Sequence, residues 1–313
     1  MIEIRRYNRD SDYRLWDEFI LTSRNGPFIL LRNYVDYHAD RFEDYSLIAE
    51  RDGKVVALLP ANIDGETLYS HRGLTYGGWI TGVKSVGAKI MLEIFGAMRA
   101  YLTGVGITTL QYKAIPHIYH KYPAEEDLYA LFRNKATIVV SSVAAVVDMN
   151  NRQPFNENAR RAVKYAIASG VSVKECDDYV SFWEILTENL NNRYGAIPVH
   201  SLSEITMLRE YFPNNIRLFA AYQGEKMLAG VVTYVTNQVC HTQYISASEL
   251  GRELKVLPMI FSYLMDSIFA DVRYFDFGTS NENNGSYLNE GLIQQKEGMG
   301  ARSIIYNTYQ IKL

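Results

Sequence analysis

Arg217-Leu218-Phe219-Ala220-Ala221-Tyr222-Gln223-Gly224-Glu225-Lys226-Met227-Leu228-Ala229-Gly230-Val231-Val232 reads as two apolar strands around a tight glycine turn. A strand at 240–246, a helix at about 256–269 and a strand at 274–277 follow it. The same order occurs earlier in the chain. Residues 46–50, the pair Asp52-Gly53 and residues 54–59 form a hairpin; a strand at 67–70, a helix at about 86–102 and a strand at 107–112 come after it. Equivalent points lie roughly 165 to 170 residues apart, a domain-sized spacing. The turn sequences themselves, Asp52-Gly53-Lys54-Val55-Val56-Ala57 and Gly224-Glu225-Lys226-Met227-Leu228-Ala229, are too short to establish a duplication. The shared order of strand, turn, strand, strand, helix, strand predicts it. We therefore expect two copies of one α/β unit, at 1–150 and 151–313, with the catalytic site in the second.

The chain has 313 residues, enough for two domains that each bury a core without staples. Apolar residues make up 48% and charged residues 21%, a globular composition. Lys+Arg 32 against Asp+Glu 35 gives a net charge of −3, which argues against a global basic field for nucleic acid. Only Cys176 and Cys240 are present, so neither a disulfide framework nor a four-cysteine zinc site is available. Met1 to Arg9 lacks the apolar stretch of a signal peptide, and apolar runs such as 138–147 are strand-sized. The expectation is a cytoplasmic protein without stable membrane insertion; its oligomeric state is open. Tyrosines number 24 against 13 phenylalanines, and their amphipathic rings suit either ligand grooves or half-exposed sheets.

Outside the repeated units, Ile2-Glu3-Ile4 reads as a strand. Ser11 is the expected N-cap of a helix carrying Tyr13, Trp16, Phe19 and Ile20 at helical spacing. Asn156 and Gly170 bracket a short helix whose Arg161, Lys164 and Tyr165 share a face. Residues 178–213 suggest two ordinary helices without sustained heptads.

Several familiar motifs fail on context. Gly77 to Ser85 has one residue too many for a phosphate loop, and Gly104-x-Gly106 follows a helix rather than a strand. His117-x-x-His120 lies between Pro116 and Pro123 without an evident third ligand, so no metal is expected. Cys240 and His241 alternate along a strand, which excludes a thiolate–imidazole pair.

Three segments carry a resemblance. They are the 159–166 helix ending at Ser169-Gly170-Val171, the run Tyr274-Phe275-Asp276-Phe277-Gly278-Thr279-Ser280-Asn281, and Leu292-Ile293-Gln294-Gln295-Lys296-Glu297-Gly298-Met299-Gly300-Ala301. In this order and spacing the chain resembles the FemAB-like branch of the GNAT acyltransferases, over nearly its whole length. The resemblance implies two tandem GNAT-like domains, each a mixed, mostly antiparallel sheet flanked by helices. It also implies transfer of an acyl or aminoacyl group to an amine, often on a cell-envelope precursor. Such a transfer needs backbone N–H groups for the oxyanion, a base for the amine, a proton donor for the leaving group, and cations for phosphates.

In GNAT folds the fourth strand splays from the fifth and exposes the N–H groups that serve the thioester; here those strands would be 240–246 and 274–277. The usual phosphate signature after the fourth strand is missing. Arg252 and Lys255 stand in its place, while a literal Gln295-x-x-Gly298-x-Gly300 match occurs near the C-terminus. The resemblance makes Lys296 the first functional cation, orienting the donor or stabilising the oxyanion. Asp276 is a candidate base, and Tyr244 and Tyr287 are candidate proton donors. Arg252, Lys255, Gly298 and Gly300 are candidates for holding the donor. Arg161, Tyr165, His71, Tyr76, Ser280 and Asn281 are candidates for the acceptor side, with Arg161, Tyr165 and Lys296 expected to converge in one cleft. The leading reading is an N-acyltransferase using acyl-CoA and an amine on a nucleotide-linked amino sugar or similar precursor. An aminoacyl-tRNA donor, as in Fem transferases, and a non-catalytic ligand-binding module are the alternatives.

Overall fold

A computed structural model covers residues 1–313 and divides them into two compact units. Unit 1 holds Met1–Ser142, Asn283–Ser286 and Ile305–Leu313; unit 2 holds Val143–Glu282 and Tyr287–Ile304. Unit 2 has one mixed, mostly antiparallel sheet flanked by helices; the strands of unit 1 fall into two, an antiparallel sheet ordered Ile2–Arg6, Leu47–Arg51, Lys54–Leu59, Ile80–Thr81 and a second that holds Thr67–Tyr69 and Thr109–Lys113. The α/β class is the one the resemblance implied.

In unit 2 the strands run in the order Ser172–Cys176, Ile216–Gln223, Lys226–Val235, Val239–Ala247, Tyr274–Thr279, followed by the second half of Thr137–Asp148. All neighbours are antiparallel except Val239–Ala247 with Tyr274–Thr279, which are parallel. The hairpin turns at Gly224, whose φ of 59° is one that a side chain disfavours. Beyond it, Met227 to Tyr234 are buried without a break, so the alternation of a half-exposed strand is lost. Helices Glu157–Ala168 and Leu257–Tyr263 cover one face; Ala159, Val256, Ile260 and Phe261 join Cys240, Phe275 and Phe277 in one core. Asn156 caps the first of these, its Oδ1 accepting the Ala159 N–H at 2.8 Å, as expected from sequence. The helix Tyr179–Tyr194 packs on the strands Lys226–Val235 and Val239–Ala247.

Unit 1 is built around the helix Ala88–Gly104, which buries Met91, Ile94, Phe95, Met98 and Leu102 against Leu47, Ala57, Leu59, Leu110 and Tyr112. Each such side chain contributes about 2 kcal/mol on leaving water. The expected hairpin appears as Leu47–Arg51 and Lys54–Leu59.

The equivalence of the third strands needs correcting. In unit 2 a single strand, Val239–Ala247, pairs antiparallel with the hairpin and parallel with the strand after the helix. Unit 1 divides the two tasks: Ile80–Thr81 joins the hairpin, while Thr67–Tyr69 runs parallel to Thr109–Lys113. Gly73, Gly77 and Gly78 lie between these pieces and interrupt the strand.

One smaller expectation also changes. Asn8, not Ser11, caps the first helix, Arg9–Thr22, because its Oδ1 accepts the Asp10 N–H. Strands Asn62–Asp64 and Ser172–Cys176 and the short helix Glu249–Glu253 escaped the sequence reading. Among the described residues no helix is long and apolar enough to cross a membrane, and no cluster of three metal-ligating side chains occurs.

Candidate functional site

The site of unit 2 begins where its two parallel strands part. Val239, Cys240 and His241 pair with Tyr274, Phe275 and Asp276, and the pairing stops there. A bulge at Gln243 adds to the divergence: Val232 faces Tyr244 and Thr233 faces Thr242, leaving one residue extra. Beyond this point the strand presents backbone groups toward a gap instead of a neighbouring strand. A cavity of about 260 Å³ occupies the gap, walled by Ile245, Ser246, Ala247, Phe277, Phe261 and Lys296. It adjoins a larger cavity of about 540 Å³, with Ala247, Arg252, Leu257, Gln295 and Met299 lining both. Together they form a groove alongside the Val239–Ala247 strand.

Two cations mark the far end of this groove. Arg252 Nη1 donates to Asn189 Oδ1 at 2.6 Å and to the Ala247 carbonyl at 2.8 Å. Asn189 Nδ2 in turn donates to Ser246 Oγ at 2.6 Å and to the same carbonyl at 2.7 Å. Neutral oxygens thus hold the guanidinium, and neither Arg252 nor Lys255 has a carboxylate partner among the described residues. A positive charge left uncompensated beside a cavity favours an anion there. The connecting loop is tight. A Cβ on Gly251 would lie 2.3 Å from the Leu228 carbonyl, and Lys255 takes a φ of 54°. Glycine is needed at the first position, and a left-handed turn forms at the second without it.

Lys296 sits on the helix Glu290–Glu297 and is 3% exposed. Its ammonium donates to the Gly278 carbonyl at 3.0 Å, the Thr279 carbonyl at 2.8 Å and Ser280 Oγ at 3.0 Å. Three acceptors match its three donors. Burial pushes this amine down to about 8, a shift that Asp276 partly offsets.

These elements are diagnostic together: a bulged strand, a parallel partner that diverges from it, and a loop with cations at its end. Residues 153–285 match the acetyltransferase (GNAT) domain family. Residues 153–285 thus form a GNAT-type domain. Over almost its whole length the chain has the fold of tandem members. FemX covers 99% of this chain and 97% of its own at a TM-score of 0.67 and 11% identity. L-PGS from Bacillus licheniformis covers 96% of this chain and 91% of its own at 0.63 and 12% identity. A tandem GNAT protein from the clavulanic acid biosynthesis pathway covers 100% and 98% at 0.53 and 11% identity. No curated protein matches by sequence. The chain is accordingly an acyltransferase of the GNAT type with a FemAB-like tandem fold.

Within this GNAT frame the sequence-predicted residues separate. Arg252, Lys255, Gly298 and Lys296 line the groove. Gly300 is not among the lining residues; its φ is 90° and a Cβ there would lie 2.4 Å from the Gln153 carbonyl. Arg161 and Tyr165 are exposed on the helix Glu157–Ala168, whose Asn158, Ala159 and Ala162 face the larger cavity, so they do not converge with buried Lys296. Tyr287 is also exposed. Tyr244 is engaged: its hydroxyl contacts His200 Nδ1, and Trp183 packs edge-on against its ring. Asn281 accepts the Val143 N–H at 2.6 Å, and Ser280 is held by Lys296. In unit 1, His71 and Tyr76 are buried, His71 against His38 and Phe42, Tyr76 against Tyr119 and Tyr306.

Asp276 is completely buried, between core residues Phe275 and Phe277 but facing the other way. Its Oδ1 accepts the Gly278 N–H at 2.7 Å and its Oδ2 lies 2.9 Å from His241 Nδ1. The sequence reading weighed His241 only against Cys240. The alignment of two parallel strands, which could have revealed the Asp276 partner, was available only as a strand order. Asn189 and Gln295 were missed for a different reason: nothing local sets them apart from other polar helix residues.

Proposed function

We propose that this chain transfers an acyl group from acyl-CoA to an amine, with the donor in the groove beside Val239–Ala247. The arrangement that carries the reading is the gap between the splayed strands together with the unpaired Arg252 and Lys255 at its end. An extended thioester arm lying along the strand would put its diphosphate against these cations and its carbonyl toward the backbone N–H groups of the gap. Lys296 then acts by position: it fastens the 278–280 turn that forms one wall, through the three hydrogen bonds its ammonium already makes. An amino sugar on a nucleotide or a similar cell-envelope precursor fits as acceptor, and the cytoplasm as the compartment, since both the donor and such precursors are made there. Domain limits of 1–150 and 151–313, with the chemistry in the second, belong to the same reading.

Calorimetry with acetyl-CoA tests the donor. Arg252→Ala and Lys255→Ala should each weaken binding by about tenfold, the loss of one charge-assisted phosphate contact. Unchanged affinity in both variants would remove the donor assignment. An aminoacyl-tRNA donor remains the alternative that the FemX-like fold suggests. It requires RNA binding that falls steeply with salt, which a net charge of −3 does little to support.

A further inference from the structure

His241 stands at the apex of the gap, on the last residue pair before the strands part. Its neighbour Cys240 points into the core shared with Val256 and Phe261, so the imidazole projects from the opposite face. Asp276 projects from that face too, directly across in the parallel register. A carboxylate only accepts hydrogen bonds, so at 2.9 Å the His241 Nδ1 carries the hydrogen and Nε2 the lone pair. Exposure divides the pair: Asp276 is 0% exposed and the His241 side chain 13%. The ring also lies over Gly278, where a Cβ would stand 3.1 Å from its Cε1.

We propose that His241 is the general base of the acyl transfer and that Asp276 is the positioning residue that sets its tautomer. This rests on the acyl-CoA reading above. From Ala247, beside Arg252, to His241 is six residues, about 20 Å at the rise of a strand. An extended donor arm anchored on Arg252 and Lys255 would bring its thioester to the apex. The larger cavity opens among Ala159, Ala162 and Val256 on the core-helix face. The gap then admits the amine from the other face, where the imidazole stands. Attack forms the N–C bond and breaks the C–S bond, with the electron pair leaving on sulfur. The proton lost by nitrogen passes to Nε2 and then to the thiolate, giving an amide and a free thiol with His241 restored. Asp276 itself is unsuited to this step, since it is sealed from solvent and both its oxygens are engaged. The other titratable groups nearby are Tyr234, directly opposite His241 in the antiparallel register, Lys296, fastened to the carbonyls of residues 278 and 279, and Cys240 on the core side.

The test uses the full chain with acetyl-CoA and glucosamine, following thiol release. His241→Gln keeps an N–H for Asp276 but cannot take up a proton. Its kcat should fall on the order of 10²-fold, with acetyl-CoA affinity and melting temperature unchanged. Its residual rate should rise with pH as solvent supplies the free amine, while the wild-type rate is flatter. Asp276→Asn should show the same pH signature. A His241→Gln variant within about threefold of wild type, with the same pH profile, overturns the assignment. A wild-type chain that neither binds acetyl-CoA nor releases thiol fails earlier, and overturns the acyl-CoA reading together with it.

Discussion

Lys296 illustrates how the same residue type serves different chemistry according to what surrounds it. A solvated lysine in a charged turn would be free to meet a ligand. This one is 3% exposed and its three donors are matched by three oxygens of residues 278–280. Burial lowers its pKa from 10.5 to about 8, so the folded chain gives up this proton before the unfolded chain does. The desolvation cost is therefore borne in full below pH 8 and relieved between about 8 and 10.5, where folding gains from the shift. Replacing the amine is another matter, because it strands three buried acceptors. Lys296→Met should cost about 3 kcal/mol in urea unfolding at pH 7. It should also raise exchange at the amides of residues 278–280. A stability equal to wild type would mean the turn holds itself.

The strand Val239–Ala247 is the element on which donor binding turns, and it shows what was legible in the sequence and what was not. Its existence followed from its place after the Gly224 hairpin and the helix after it from spacing, while its partner at 274–277 came only with the resemblance. The bulge at Gln243 did not, because an extra residue in a strand leaves no compositional mark when both faces are partly buried. Nor did the His241–Asp276 pair, which depends on a parallel register across 35 residues of chain. In unit 1 the third strand is divided, since a sequence pattern of strands does not say which neighbour each one takes. Cationic candidates fared according to their partners, all three being exposed: Arg252 and Lys255 line the groove without a carboxylate, whereas Arg161 is taken up by Asn158 and Glu157 on its own helix. The bulged strand makes its own prediction. Amides of residues 242–247 that face the gap should exchange more slowly in the presence of acetyl-CoA, measured by hydrogen exchange with mass spectrometry. Protection confined to other segments would place the donor elsewhere.

At the scale of the whole molecule, unit 1 holds buried titratable groups that make its stability depend on pH. His71 is pushed down to about 3 by burial, with His38 contributing, and His120 to about 4, again mainly by burial. The unfolded chain takes up these protons near the ordinary histidine value of 6.5, whereas the folded chain resists until far lower pH. Both contributions are therefore intact above about 6.5 and shrink as acid is added, each by about 2 kcal/mol at pH 5. Asp127 works in the opposite sense. Sealed beneath Tyr112, whose hydroxyl donates to it at 2.7 Å, it is pushed up to about 6. The cost of burying its charge is borne above pH 6 and falls away below it, returning about 1 kcal/mol at pH 5. Two histidines outweigh one carboxyl, so unit 1 should lose about 3 kcal/mol between pH 7 and pH 5. Urea titrations at the two values, followed by the fluorescence of buried Trp16 and Trp79, measure this directly. His71→Gln should flatten the dependence by roughly half of the histidine share. A midpoint that holds steady from pH 7 to 5 would mean these imidazoles find protons, or partners, that keep their affinity near that of the open chain.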